Sequence, residues 1–158
     1  EYHVIPTEIG KMVFSSQNDG SPCSLCAKLR KGALNNAVKE YGCNKVAYAH
    51  HMDDVVETMF LSMIFESRFY CFPPVTYLDR ADLTVIRPMI YVSEAEVKGF
   101  RNKYHLPVVE NPCPIDGATK RQYAKNLVRQ INLDHPGARQ RIFRAVMEGN
   151  IPGWSKKR

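Results

Sequence analysis

The stretch KVAYAHHMDDVVETMFLSMIF, residues 45–65, decides the fold because it joins two kinds of regular structure across a short polar break. Residues 45–49 predict a buried strand. Val56, Met59, Phe60 and Met63 then recur at helical spacing, which predicts a helix with one apolar face. Residues 50–54, which are mostly polar, connect the predicted strand to the predicted helix.

The same alternation of strand and helix extends to both sides of this stretch. Residues 2–5 predict a short strand, and residues 24–40 predict a helix that ends at Gly42. Residues 85–90 predict a further strand, and Ser93 with Glu96 predicts a capping box that opens a helix to about residue 104. This order predicts an α/β fold built on a parallel sheet.

The character of the chain changes near Cys113. Beyond it, apolar residues recur at helical spacing in two segments that are divided at residues 135–137, which predicts two amphipathic helices. We therefore expect an α/β domain over residues 1–112 and a basic helical tail over residues 113–158.

Composition limits the class of protein. The chain has 158 residues, of which 44% are hydrophobic and 24% charged, as is typical of a globular protein. Its apolar runs are shorter than the roughly 18 residues of a membrane-spanning helix, so we expect a cytoplasmic protein without a membrane partner. Five scattered cysteines, an odd number, argue against a disulfide framework and for reduced thiols.

The positive charge is concentrated near the end of the chain. Residues 119–158 hold ten Lys or Arg against Asp134 and Glu148, a balance of +8, whereas the first 118 residues hold twelve basic and fourteen acidic residues. A near-neutral body with a basic tail suggests a polyanionic partner, with nucleic acid as the first candidate. A solvated basic face is the alternative, and charge alone does not separate the two.

Four polar residues follow the predicted strand: His50, His51, Asp53 and Asp54. In open α/β sheets, ligands bind at this end of the strands. The start of the next helix offers amide donors for phosphate, and two adjacent carboxylates suit a magnesium ion. The alternative is that Asp53 or Asp54 merely caps the helix.

Two cysteines, Cys23 and Cys26, lie three residues apart at a predicted helix start, a position that favours the thiolate form, and Arg30 follows one turn later. A zinc site, a redox dithiol and a metal cluster all use this spacing. Cys113, between two prolines, is a possible third ligand, and three thiolates suit an iron–sulfur cluster better than a closed zinc site. We expect Cys43 and Cys71 to be buried as small apolar residues.

Four segments together resemble a known family. CSLCAKLRKGAL, AHHMDDVVETMFLSMIF, IRPMIYVSEAEV and NPCPIDGATKRQ occur in this order in PP-loop ATPases that thiolate tRNA, and the tRNA 2-thiocytidine synthetases are the most similar group. The resemblance covers nearly the whole chain and implies a Rossmann-like domain of the adenine nucleotide alpha hydrolase type.

The resemblance also implies an activity and its residues. Such enzymes use ATP and Mg²⁺ to adenylylate a base carbonyl oxygen in tRNA, and sulfur then displaces AMP. It implies a [4Fe–4S] cluster on Cys23, Cys26 and Cys113, with Arg30 beside it, and places His50, His51, Asp53 and Asp54 near ATP and magnesium. The sulfur donor stays unknown. In the basic tail we expect tRNA to be bound by seven residues: Lys120, Arg121, Lys125, Arg129, Arg139, Arg141 and Arg144.

One departure from the family pattern is the SGGxDS loop, which clamps pyrophosphate in the family and does not occur in this sequence. We therefore expect the chain to correspond to the C-terminal portion of such an enzyme, to be inactive by itself and to cover an exposed sheet edge by forming a homodimer. The rival hypothesis is a zinc- or iron-binding module that binds RNA without catalysis. A PP-loop relative with an amine nucleophile is a third hypothesis, disfavoured by the thiols.

Overall fold

The computed structural model describes residues 2–15 and 22–154, which form six α-helices and three β-strands. In chain order these are α1 Ile9–Ser15, α2 Pro22–Glu40, β1 Lys45–Ala47, α3 Met52–Glu66, β2 Val75–Leu78, β3 Leu83–Ile86, α4 Glu94–Lys103, α5 Lys120–Asp134 and α6 Ala138–Glu148. A short 3₁₀ turn, Asp79–Ala81, connects β2 to β3. The α/β class predicted from the sequence is confirmed.

The chain divides into two compact units. One comprises Glu1–Val46 with Tyr77–Thr84, and the other comprises Ala47–Thr76 with Val85–Arg158. The organisation predicted from the sequence, with a boundary after residue 112, stays a prediction.

The first unit contains α1 and α2, which pack against each other and bury Val13 and Ala37. Helix α2 begins at Pro22, a residue that suits the first turn because its missing N–H has no helical partner there. It ends at Glu40, and Gly42 follows with a left-handed φ of 68°, while the N–H of Cys43 donates to the carbonyl of Val38 at 2.9 Å. The predicted helix is confirmed and starts two residues earlier than expected.

The three strands form one sheet in the order β1-β3-β2. The N–H of Thr84 in β3 donates to the carbonyl of Asn44, and the N–H of Tyr48 donates to the carbonyl of Ile86 in β3. Residue numbers thus rise together along the two strands, so β1 and β3 are parallel. Arg87 donates to Pro74, which with the short connection makes β2 and β3 an antiparallel hairpin.

Several details of the strand prediction differ from the structure. The strand predicted over residues 85–90 is found at Leu83–Ile86, and residues 88–90 form a turn. Strand β2 was not predicted, and the strand predicted over residues 2–5 is wrong, because that segment has no regular structure. Its side chains are solvated, with Tyr2 90% exposed, so its apolar residues have no buried face to stabilise a strand.

The core of the second unit lies between α3 and the two C-terminal helices. Helix α3 packs against α5 and α6, and α5 packs against α6. The fully buried Val55 and Val56 of α3 belong to one apolar cluster with residues of the later elements. Its other members are Met52, Met59, Cys71, Ile90, Val128, Phe143, Val146, Ile151 and Trp154. The helices predicted in this region are all confirmed, as is the capping box of Ser93 and Glu96 at the start of α4.

Candidate functional site

The start of α3 is fixed by a reciprocal cap. The N–H of Asp54 donates to Nδ1 of His51 at 3.4 Å, and the N–H of His51 donates to the carboxylate of Asp54 at 3.0 Å. Both groups would otherwise be unpaired at a helix start. For Asp54, the capping role considered from the sequence is confirmed.

Asp53, the neighbouring carboxylate, joins three helices. Its side chain is 6% exposed, and one oxygen accepts the backbone N–H of Glu94 at the start of α4 at 2.7 Å. The other oxygen accepts a guanidinium N–H of Arg139, on α6, at 2.5 Å. A buried carboxylate needs such donors, and here they come from two different elements.

Arg121, near the start of α5, bridges two carboxylates of α3. Its guanidinium lies 3.0 Å from Asp54 and 3.3 Å from Glu57. The side chain of Glu57 is only 6% exposed. Burial raises the pKa of Glu57 to about 7, although the charges of Arg121 and Lys125 oppose the shift.

Glu94, at the start of α4, is held by two lysines. Lys125 of α5 lies 2.7 Å and Lys98 of α4 lies 2.9 Å from the same carboxylate oxygen. Burial acts to raise the pKa of Glu94, but the hydrogen bonds from Lys125 and Lys98 outweigh it and lower the pKa to about 2. Charged side chains thus link helices α3, α4, α5 and α6, and α3, α5 and α6 also pack against one another.

We call these seven side chains the carboxylate network: Asp53, Asp54, Glu57, Glu94, Arg121, Lys125 and Arg139. It lies entirely in the second unit. All four carboxylate oxygens of Asp53 and Asp54 already accept a hydrogen bond, from Glu94, Arg139, His51 and Arg121. Each of these oxygens keeps a second lone pair, so magnesium binding by Asp53 and Asp54 stays a prediction, and no chemical step is derived through the metal.

Two network members, Glu57 and Glu94, were not predicted as site residues. For Glu57 a signal existed, because it follows Asp53 by four residues and so shares its helix face within an otherwise apolar helix. Glu94 was not singled out in the sequence, and its partner Lys125 lies 31 residues away along the chain.

The seven basic residues predicted to bind tRNA fall into two groups. Arg121, Lys125 and Arg139 are paired with network carboxylates, so part of their charge is already offset within the protein. The other four, Lys120, Arg129, Arg141 and Arg144, are exposed, as is the paired Arg121. Arg141 donates to the carbonyl of Pro136, and the Lys120 ammonium lies 4.8 Å from the centre of the Phe65 ring.

His50, predicted near ATP, lies among aromatic rings. Its ring centre is 4.4 Å from that of Phe72 and 5.6 Å from that of Tyr48. The guanidinium of Arg87 lies over both aromatic rings, 4.9 Å from Phe72 and 5.9 Å from Tyr48. The contact of His50 and His51 with ATP stays a prediction.

Cys23 and Cys26 lie in the first turn of α2, Cys23 exposed and Cys26 half-buried. Arg30 follows Cys26 by one helical turn and is exposed. Thiols three residues apart on a helix share a face, so the chemistry and spacing of this pair fit a metal centre. The pair belongs to the first unit.

Cys113 lies in the second unit, in the loop before α5. It is half-buried, its N–H donates to the side chain of Asn111 at 3.2 Å, and its carbonyl accepts the N–H of Asp116 at 3.1 Å. Within residues 2–15 and 22–154, no three His, Cys, Asp or Glu side chains are grouped so as to hold a metal ion. The three-cysteine ligand set therefore stays a prediction.

The remaining cysteines differ from each other. Cys71 is fully buried, as predicted, and burial raises the pKa of its thiol to about 11. The prediction that Cys43 is buried is wrong, because it follows the end of α2 at the surface, where its N–H serves the helix cap. All five thiols are free.

Comparison with known proteins shows the class of protein, the PP-loop proteins. The sequence profile of the PP-loop domain matches residues 4–134, and the chain belongs to this family. Its α/β fold is similar to that of the U34-tRNA thiolase NcsA from Methanococcus maripaludis, solved with its [4Fe-4S] cluster. The TM-score is 0.65 at 23% identity, and the match covers 92% of this chain and 51% of that one.

Curated relatives are more similar in sequence. A tRNA-cytidine(32) 2-sulfurtransferase from Geobacter sulfurreducens is 33% identical over 95% of this chain and 59% of its own length. The Marinobacter nauticus protein of the same name is 34% identical over 92% and 49%, and that of Sorangium cellulosum is 38% identical over 82% and 45%. The chain thus spans about half the length of the curated relatives it matches. In the part of the chain that the structure describes, none of the helices could span a membrane.

Proposed function

We propose that the chain is part of an ATP-dependent tRNA sulfurtransferase that forms 2-thiocytidine. The observation that carries the proposal is the accessible pair Cys23 and Cys26 in the first turn of α2, within a PP-loop domain. Relatives at 33% to 38% identity that are named for cytidine 2-sulfur transfer support the same substrate.

The proposed reaction has two steps. The base carbonyl oxygen attacks the α-phosphate of ATP, and pyrophosphate leaves. A sulfur nucleophile then attacks the base carbon that carries the adenylylated oxygen, and AMP leaves with that oxygen. Adenylylation is needed because a carbonyl oxygen is a poor leaving group, whereas a phosphate ester is a good one.

We propose Cys23, Cys26 and Cys113 as the ligands of a [4Fe–4S] cluster. Three thiolates leave one iron with an open position, so the cluster, when bound, would supply a site at which sulfur can be held. Arg30 lies one turn after Cys26 and brings a fixed positive charge to the same end of α2. That charge would stabilise negative charge on phosphate or sulfur.

The exposed basic residues of α5 and α6 are proposed to bind the tRNA backbone. Lys120, Arg129, Arg141 and Arg144 are accessible to phosphates, whereas Arg121, Lys125 and Arg139 chiefly hold the helices in place. Their contribution would be electrostatic and would fall as salt is added. A cytoplasmic location and a homodimer stay predictions.

The proposed function can be tested in the organism that encodes the chain. Deleting the gene should remove 2-thiocytidine from its tRNA, measured by mass spectrometry of the digested nucleosides. Restoring the wild-type gene should return the nucleoside, whereas a gene carrying Cys23→Ser should not, and one carrying Cys43→Ser should. If 2-thiocytidine persists after deletion, the proposal is wrong.

A further inference from the structure

An aromatic and cationic patch on the second unit is not used by the proposed chemistry. It consists of Phe65 at the end of α3 with Lys120 and Tyr123 in the first turns of α5. The rings of Phe65 and Tyr123 meet edge to face with centres 6.1 Å apart, and the Lys120 ammonium lies 4.8 Å from the centre of the Phe65 ring.

Both rings of the patch are solvated although buried positions lie close by in sequence. Phe65 is 41% exposed and Tyr123 is 54% exposed, whereas α5 turns Ala124 and Val128 into the core. Packing of the unit therefore does not account for two large aromatic residues at these positions. Rings that stay half-exposed beside a cation are available to a ligand with a flat face.

The surroundings of the patch repeat the same chemistry. Immediately after α3, Phe69 is 76% exposed and Tyr70 is 41% exposed, with the guanidinium of Arg68 lying 4.6 Å from the centre of the Tyr70 ring. The carboxylate of Glu66 is paired with Arg68 at 2.6 Å, so its charge is locally offset. Rings interleaved with cations are the pattern by which proteins bind unpaired nucleotides.

We infer that the patch of Phe65, Lys120 and Tyr123 stacks an unpaired nucleobase of RNA while Lys120 holds an adjacent phosphate. The inference rests on the proposed function, because it assigns part of the tRNA contact to a site. Charge favours RNA over a second copy of the chain. The segment from residue 119 onward carries a balance of +8 in sequence, of which Arg121, Lys125 and Arg139 are paired with carboxylates of earlier helices. The exposed Lys120, Arg129, Arg141 and Arg144 still leave the surface positive, so two such surfaces would repel each other, whereas a polyanion is attracted.

The test compares a short unpaired oligocytidylate with an RNA duplex of equal length, by fluorescence anisotropy at several salt concentrations. Phe65→Ala and Tyr123→Ala should each weaken binding of the oligocytidylate about fivefold or more and leave the salt slope unchanged. Lys120→Ala should lower that slope by about 0.7. Phe65→Tyr and Tyr123→Phe should retain binding, and circular dichroism would show that each variant is folded.

The chain offers a matched control on α4. Phe100 and Tyr104 form a similar pair with ring centres 4.5 Å apart, and the Lys103 ammonium lies 5.2 Å from the centre of the Tyr104 ring. Helix α4 carries the carboxylates Glu94 and Glu96 as well as its cations, so the net positive charge near this pair of rings is smaller. Phe100→Ala with Tyr104→Ala should leave oligocytidylate binding unchanged. An equal loss in both pairs would overturn the assignment.

Three other outcomes would show whether the patch assignment, the proposed function or both are wrong. If the wild type binds tRNA but the Phe65 and Tyr123 variants bind the oligocytidylate equally well, the patch assignment is wrong and the proposed function stands. If wild-type chain sediments as a dimer that Phe65→Ala dissociates, the patch is a contact between copies and the inference is wrong. If the wild type binds neither tRNA nor the oligocytidylate, both fail.

Discussion

The guanidinium of Arg139 on α6 donates to the buried carboxylate of Asp53 on α3 at 2.5 Å, 86 residues apart in the chain. The other oxygen of Asp53 accepts the first backbone N–H of α4, from Glu94. A single carboxylate at the end of a strand–helix connection therefore fixes two later helices. Metal binding by the same carboxylate stays a prediction, whereas its contacts with α4 and α6 are seen in this structure.

Arg139→Gln should destabilise the second unit by about 3 kcal/mol, because it leaves the carboxylate of Asp53 buried without its cation. Urea unfolding followed by Trp154 fluorescence would measure this, since Trp154 is the sole tryptophan and lies in that unit's core. Arg68→Gln is the control, because the Arg68–Glu66 pair lies in the same unit with side chains 57% and 49% exposed, so its loss should cost less than about 0.5 kcal/mol. Equal costs would contradict the assigned role of Arg139.

Glu57 should make stability depend on pH. Its pKa is raised from 4.5 to about 7 in the folded state, so the folded state binds more protons than the unfolded state between these values. Stability contributed by Glu57 is therefore present at low pH and is lost as pH rises through about 7.

Glu57→Gln should remove this dependence and should stabilise the unit above about pH 7, by on the order of 2 kcal/mol. Urea titrations at about pH 5 and about pH 8 would measure the difference from wild type. If the stability difference between the two proteins does not change with pH, burial of Glu57 does not raise its pKa as described.

Arg129 and Arg144, both exposed, should contribute to tRNA binding through phosphate contacts. Each change to Ala should lower the affinity and reduce the salt slope by about 0.7 to 0.9. Lys98→Ala is the control, since Lys98 is paired with Glu94 on α4, outside the basic tail. Filter binding of tRNA over a range of salt concentrations would measure the slopes, and slopes unchanged in both Arg variants would exclude these contacts.

Cys23→Ser, Cys26→Ser and Cys113→Ser should each prevent assembly of a complete four-iron cluster, because each removes one of three ligands. Cys43→Ser should not, and it is a suitable control because Cys43 is exposed, so the change leaves the core intact. Iron and sulfide analysis after anaerobic reconstitution would measure the result. A full cluster in the Cys113 variant would show that the third ligand is another residue.

Sequence periodicity predicted five of the six helices of the described residues, α2 to α6, because their signals are local, whereas α1 was not predicted. Val56 and Met59 mark the buried face of α3, and Ser93 with Glu96 marks the cap of α4. Strand β2 was missed because it follows two prolines and its side chains alternate between exposed and half-buried, without a buried face. The strand predicted over residues 2–5 is wrong because apolar side chains alone do not provide a neighbouring strand to pair with.

The carboxylate network was beyond sequence reasoning for another reason. The acidic pair at the start of α3 was identified, but its partners Arg121 and Arg139 lie 67 and 86 residues away along the chain. Those arginines were predicted to contact tRNA, since composition gives the charge of a segment but not its internal partners. Ion pairs between elements depend on helix packing, which no local pattern specifies.

Mössbauer spectroscopy of the anaerobically reconstituted chain, with metal analysis of the same sample, tests the central claim most directly. The account predicts a four-iron cluster, since three accessible thiols are available for it: Cys23, Cys26 and Cys113. Stoichiometric zinc held by four protein ligands, with no uptake of iron, would contradict the account and favour a zinc-binding RNA module.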